Sequence, residues 1–275
     1  MNPDAPLDLE AYRSRVGYTG DWQPTIETLV NLHLAHTTSI PFENLDILLG
    51  RSIRIDLASI QNKLIGQRRG GYCFEQNTLF AEVLKSLGLP VTIVAARVRF
   101  RAHRILPRTH ILLLVEAEAS PWIADVGFGT VGLLQPIPLR TDEEFQQFGW
   151  SYRLIEEPGV WTLQARQGAV WESLYSFTME PQYPADLEMA NWYVSTCPDS
   201  RFVQTLTAQR STEDVRFLLR NFVYSEDHAG EQTTRELRDP EELLAILAEK
   251  FDLHFPAETR FRIPSMDLPV ISPAR

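Results

Sequence analysis

The chain is poor in cysteine: Cys73 and Cys197 are the only two among 275 residues. Two cysteines with no CxxC pair exclude a disulfide framework. Positive charge is scarce as well. Lys and Arg number 26 against 36 Asp and Glu, a formal charge of −10. That excludes broad binding to nucleic acid or anionic membranes, which call for basic surfaces. It does not exclude a small anionic ligand held by a few local donors. Long apolar runs are missing too. The longest, such as residues 243–248, fall far short of the roughly 18 residues a membrane helix needs. The first ten residues have neither a basic nor an apolar signal segment, so no signal peptide is expected. The expectation is a soluble, cytoplasmic protein with reduced thiols.

What is present is 44% hydrophobic residues, enough for a sizeable core in one to three domains. Residues 1–88 read as helical. Ile26, Leu29, Val30 and His33 recur at helical spacing, and Pro41 breaks the pattern. Asp56 is placed to cap a helix that ends at Gly66. Leu79, Phe80, Val83, Leu84 and Leu87 then form one stripe, stopped by Gly88 and Pro90. Cys73 therefore falls at the start of a helix. From Val91 to about residue 185 the chain turns into short runs of β-branched and aromatic residues separated by turn residues. That pattern predicts an antiparallel meander, a small barrel or a strongly bent sheet. Residues 186–275 read as mixed, with helices over 199–210 and 239–251 capped by Asp199 and Asp239, and an extended run over 216–226.

Cys73 lies within "QRRGGYCFEQN", residues 67–77. A free cysteine is usually a buried core residue. A helix start, however, favours the thiolate, the nucleophilic form. Gly70 and Gly71 could take positive φ and approach a ligand closely. Downstream, "RTHILLLVEAEASPWIADVGFG" reads as a hairpin with its turn at 116–119. If Val115 pairs with Ser120, His110 stands opposite Asp125, close enough for a carboxylate to accept an imidazole N–H. Each residue alone has a plain structural reading. Together Cys73, His110 and Asp125 point to a thiol triad in which Asp125 orients His110, His110 takes the thiol proton, and Cys73 attacks a carbonyl.

Other candidates are weaker. His33 and His36 are three apart but lack a third ligand, so no metal is expected. Cys197 precedes Pro198 in a loop and reads as structural. The glycine-rich residues 127–132 match no dinucleotide fingerprint. Glu43 and Arg69 read as a structural ion pair.

"RRGGYCFEQN", "RTHILLLV" and "ADVGFG", with "YRSRVGYTG" and "SIPFENLDI" upstream, together resemble the arylamine N-acetyltransferases. The likeness is densest over residues 9–130, and the absence of a long insertion after the barrel makes it the bacterial form. The resemblance implies an α+β fold: a helical bundle (1–88) carrying Cys73, an antiparallel β-barrel (89–185) carrying His110 and Asp125, and an α/β lid (186–275), with a cysteine-protease-like triad. It implies a ping-pong reaction in which Cys73 takes an acetyl group from acetyl-CoA as a thioester. The group then passes to an arylamine, hydrazine or hydroxylamine nitrogen. It also implies that Tyr72, Thr109, Gly127, Phe128 and Gly129 line the coenzyme cleft, and that Phe128 and Phe202 face the acceptor. Residues 130–140, with Gly132 and two prolines, depart from the family pattern. An amide synthase releasing a carrier-bound acyl chain, a Cys-His-Asp thiol hydrolase and an inactive binding protein are the other readings. Whether the chain forms a homodimer is left open.

Overall fold

The computed structural model describes residues 6–129 and 131–267, so Thr130 and both ends of the expected domain spans lie outside the described residues. The first helices follow their caps. Ala11 donates to the Asp8 carboxylate at 3.0 Å at the start of α1 (Leu9–Val16), and Thr25 caps α2 (Ile26–Ser39). A two-residue strand, β1 (Phe42–Glu43), and a short α3 (Leu45–Leu48) follow. Asp56 caps α4 (Leu57–Gln61) as expected, and one π-helical turn, Asn62–Gly66, continues it. α5 (Cys73–Ser86) begins at the cysteine. Its stripe, Leu79, Phe80, Val83 and Leu84, is fully buried against α2 and against Leu113, Val115 and Ala117 on the outer face of the next strands.

Eight antiparallel strands follow: β2 (Val91–Val98), β3 (Arg108–Ala117), β4 (Ser120–Ala124), β5 (Ile137–Pro138), β6 (Glu144–Gln147), β7 (Trp150–Glu157), β8 (Val160–Gln167) and β9 (Val170–Pro181). Their order is β5-β4-β3-β2-β9-β8-β7-β6, which curls until the two edge strands nearly meet. The buried Gln147 side chain bridges the remaining gap. Its oxygen accepts from the Leu134 and Gln135 amides at 2.9 and 3.1 Å, and its nitrogen donates to the Gln135 carbonyl at 2.6 Å. Alternating residues such as Tyr152, Leu154, Leu163 and Tyr175 fill the interior.

The third part contains α6 (Pro184–Thr196), α7 (Arg201–Gln204), β10 (Thr207–Ser211), β11 (Arg216–Arg220), β12 (Val223–His228), β13 (Glu231–Glu236), α8 (Pro240–Phe251) and α9 (Pro264–Asp267). The strands form a second sheet, β1-β10-β11-β12-β13. Asp239 caps α8 through its carboxylate, with the Glu242 amide at 2.8 Å.

Two readings need correction, and two features went unread. Residues 199–210 are not one helix. The helix stops at Gln204 because Thr207 and Ala208 are buried in a strand between β1 and β11. The cap there is Ser200, whose hydroxyl accepts from the Phe202 amide at 3.3 Å, and not Asp199. α6 went unforeseen because large apolar residues, Met189 and Trp192, stand on its exposed side and blur the amphipathic period. Finally, the helical segment does not keep to itself: β1 joins the second sheet, and Leu45 and Leu48 pack into its core with Leu247 and Phe251.

Candidate active site

The glycines before Cys73 have a packing role. Neither adopts positive φ, contrary to expectation. A Cβ on Gly70 would sit 2.0 Å from the Pro41 carbonyl oxygen, and one on Gly71 would sit 2.6 Å from the Glu75 carboxylate. No larger residue fits, so the strand-like approach to α5 is held tight against β1. Gln76 secures the same stretch by donating to the Gly71 and Pro41 carbonyls at 2.9 and 3.2 Å. His36 donates to the Gln76 oxygen at 3.1 Å and accepts from the Tyr12 hydroxyl at 3.0 Å. Burial pushes His36 down to about 3, so it stays neutral in this role.

Under this turn lies a closed ionic cluster. Arg69 donates twice to Glu43, at 2.6 and 3.0 Å, and reaches Asp46 at 3.2 Å. Lys63 contacts Asp46 at 3.0 Å and Glu75 at 2.7 Å. The other Glu75 oxygen accepts from the Tyr72 amide at 3.1 Å, which caps α5. The Glu43–Arg69 pair is thus present, inside a larger network than the sequence indicated.

α5 then presents Cys73 to the barrel. Its thiol is 3% exposed, and its sulfur lies 3.7 Å from the Thr109 carbonyl oxygen. His110 and Asp125 meet, although by a different register. Val115 pairs with Trp122 and Ala117 with Ser120, two residues from the expected alignment. The turn is only Glu118–Ala119, both left-handed (φ 49° and 61°), a tight hairpin that follows strand twist. A shift of two preserves the face. His110 therefore still faces Asp125, now on a diagonal and just beyond the end of β4, and Nε2 meets Oδ2 at 2.7 Å. The other ring nitrogen is left for Cys73.

The electrostatics follow. Burial opposes the charged imidazole, but the Asp125 carboxylate and the Cys73 sulfur outweigh it, and His110 is pushed up to about 10. The same partner, with the Asn77 and Gly127 donors, holds Asp125 below its usual range against burial.

Two positioning residues were not read from the sequence. Asn77 sits one turn after Cys73. It donates to Asp125 Oδ1 at 2.9 Å and to the Ile111 carbonyl at 2.7 Å, and it accepts from the Val126 amide at 3.0 Å. A polar residue four places from the nucleophile on the buried helix face was the available signal. His33 accepts from the Asp125 amide at 3.0 Å and donates to the Leu134 carbonyl at 2.9 Å. Burial holds it neutral, down to about 4. His33 and His36 are thus both occupied by protein groups. Among the described residues no three His, Cys, Asp or Glu side chains group closely enough to hold a metal.

The remaining residues converge on the same place. Gly127 packs against α5, where a Cβ would lie 2.7 Å from the Cys73 Cα. Phe128 and Tyr175 each bring a ring centroid within 5.0 Å of the His110 ring. Gly129 is left-handed (φ 96°) and faces Gln209. Gly132 has no room for a Cβ, which would lie 2.9 Å from the Phe128 Cβ. Tyr72 is fully buried, its hydroxyl bonded to Asn191. Phe202 lies 5.6 Å from the Tyr72 ring and 5.9 Å from that of Phe42. Cys197, half-buried at the C-terminal end of α6, is not part of this assembly.

A family model described as N-acetyltransferase matches residues 25–260. The chain belongs to the arylamine N-acetyltransferase family. It is 42% identical over 250 residues to the arylamine N-acetyltransferase of Escherichia coli K12, covering 89% of this chain and 88% of that one. It superposes on the arylamine N-acetyltransferase of Salmonella typhimurium with a TM-score of 0.87 at 36% identity, covering 92% and 96% of the two chains. The Mycobacterium marinum arylamine N-acetyltransferase, solved in complex with CoA, gives a TM-score of 0.86 at 34% identity over 90% and 93%. As an arylamine N-acetyltransferase by family, the chain is an enzyme of the acyltransferase type. Among the described residues no helix is long and apolar enough to cross a membrane.

Proposed function

We propose that this chain transfers acetyl groups from acetyl-CoA to arylamine, hydrazine or N-hydroxyarylamine nitrogen by a ping-pong mechanism through Cys73. The observation that carries this reading is the 2.7 Å His110–Asp125 contact, which aims the free imidazole nitrogen at a thiol on a helix start. Asp125 fixes the imidazole. His110 takes the Cys73 proton. The sulfur attacks the thioester carbonyl, and the coenzyme thiolate leaves as His110 returns the proton to it. In the second half an amine attacks the acetyl-cysteine, His110 accepts the amine's proton, and the Cys73 sulfur departs. The Cys73 amide lies in the first turn of α5, has no intrahelical acceptor, and donates to the tetrahedral oxyanion.

The donor is an activated thioester, so the chemistry needs no metal or redox group. Arylamines are neutral at pH 7, which suits the apolar Phe128 and Phe202 rings for the acceptor. Tyr72, Thr109, Gly127 and Gly129 shape the path of the coenzyme arm. Steady-state kinetics test the order of events. Varying acetyl-CoA at several fixed arylamine concentrations should give parallel double-reciprocal lines. Converging lines would require a ternary complex and remove the free acetyl-enzyme. Acyl transfer to water at the same rate with and without amine would favour the hydrolase reading.

A further inference from the structure

Arg216 opens β11, in the sheet of the third part, yet its side chain is engaged by the barrel. It is 3% exposed, and among the described residues it makes no ion pair. Its cross-strand neighbour Asp227 accepts from the Gly230 amide at 2.7 Å instead. A buried cation without a counter-charge is costly, and it persists where dipoles and ring faces replace the water it has lost. Here the guanidinium carbon lies 4.0 Å from the centre of the Trp150 ring. One terminal nitrogen donates to the Tyr152 hydroxyl and, at 3.2 Å, to the Gly132 carbonyl. Nε is buried and has no acceptor among the described residues. The side chain thus forgoes full satisfaction while keeping its hold on one loop carbonyl.

That carbonyl belongs to the loop that follows Phe128. Tyr152, on β7, also donates to it, at 2.5 Å, which gives the oxygen two donors, the number its lone pairs accept. The Gly132 amide donates back to the Gly129 carbonyl at 2.9 Å. Gly132 stands so close behind Phe128 that a Cβ on it would lie 2.9 Å from the Phe128 Cβ. A shift of Gly132 is therefore passed to the Phe128 ring, whose centroid is 5.0 Å from those of both His110 and Tyr175. The second sheet meets this loop at another point as well, where Gln209 of β10 fills the space that a Cβ on Gly129 would need.

We propose that Arg216 is a positioning residue for the acceptor: by fixing the Gly132 carbonyl it holds the Phe128 ring beside His110, and so sets the preference for aromatic over small amines. This rests on the transferase reading and on Phe128 facing the acceptor. An aromatic amine needs a ring held in one orientation to stack on, and hydrazine does not. A neutral side chain could fill the same volume, but it would not hold the carbonyl with a charged donor while stacking on Trp150.

The test is the ratio of kcat/KM for aniline to that for hydrazine, with acetyl-CoA as donor, in wild type, Arg216→Gln, Phe128→Ala and the double variant. Arg216→Gln should lower the ratio about tenfold, chiefly through the KM for aniline. Phe128→Ala should lower it at least as far, and the double variant no further than Phe128→Ala alone, because one residue acts through the other. Arg216→Lys keeps the charge without the planar fork and should stay within about threefold of wild type. Should Arg216→Gln not fold, Tyr152→Phe takes a donor from the same carbonyl at nearly constant volume and should move the ratio about threefold the same way. A ratio within twofold of wild type in folded Arg216→Gln, with only its thermal midpoint lowered, overturns the proposal. So does a double variant in which the two single effects multiply. If Phe128→Ala shifts the ratio in either case, the acceptor reading stands without Arg216. A wild type that acetylates neither amine overturns the transferase reading and the proposal with it.

Discussion

At the start of α5 the chain buries two clusters of charge. The one around Arg69 closes on itself: Glu43, Asp46 and Glu75 are each met by Lys63 or Arg69 at 3.2 Å or less. The one around Cys73 does not close. Asp125 is fully engaged by His110, Asn77 and Gly127, yet among the described residues the sulfur at the far end of the relay has only a carbonyl at 3.7 Å and the imidazole. A closed cluster holds structure in place. An open one, with a reactive atom left under-satisfied, is arranged for chemistry. Removing a member should therefore cost folding in the first cluster and rate in the second.

The sharpest break is Cys73→Ala. Acetyl transfer should fall by more than about 10⁴-fold, while the thermal midpoint changes little; differential scanning calorimetry and an arylamine acetylation assay read both. Asp125→Asn should slow acylation by about 10³–10⁴-fold by leaving the imidazole in the wrong tautomer, as stopped-flow release of CoA would record. On the other side, Arg69→Gln removes the nearer counter-charge of Glu43, leaving Lys63 at 4.0 Å, and should destabilise by about 3 kcal/mol, seen as a lowered denaturation midpoint. The fraction that stays folded should keep most of its kcat. Asn77→Ala removes one donor from Asp125 and leaves the ionic cluster around Arg69 intact. It lets Asp125 and the 125–127 turn drift, for about a 100-fold drop in kcat with the acyl-enzyme still detectable.

The smallest effect is a pH dependence. His110 is raised from 6.5 to about 10 in the folded state. The pair with Asp125 thus contributes its full stability below pH 6.5 and loses it as pH rises through about 10. The gap in thermal midpoint between wild type and Asp125→Asn should be widest at pH 6 and shrink by pH 10.5. A gap that widens with pH would contradict the charged pair.

Much of this site was legible in the sequence because its members fall in short, locally readable contexts. Cys73 precedes an unbroken apolar stripe that fixes the helix start. His110 and Asp125 flank one hairpin, where any error of two residues keeps them on the same face. Residues whose roles depend on contacts remote in sequence were not legible. Asn77 matters only because α5 packs on the 125–127 turn, and His33 only because α2 reaches the Asp125 amide. Gly70 and Gly71 were read as flexible, although what demands them is the Pro41 carbonyl beside the first and the Glu75 side chain beside the second. The fold shows the same division. Strands of the barrel follow from local alternation, whereas β10 reads as helix until β1 and β11 are placed on either side of it.

The most direct test of the central claim is the mass of the intact protein after mixing with acetyl-CoA alone. One acetyl increment should appear on wild type, be absent from Cys73→Ala, and disappear when an arylamine is added. An unmodified mass, from folded protein whose Cys73 still reacts with iodoacetamide, would contradict the thioester on which the account rests.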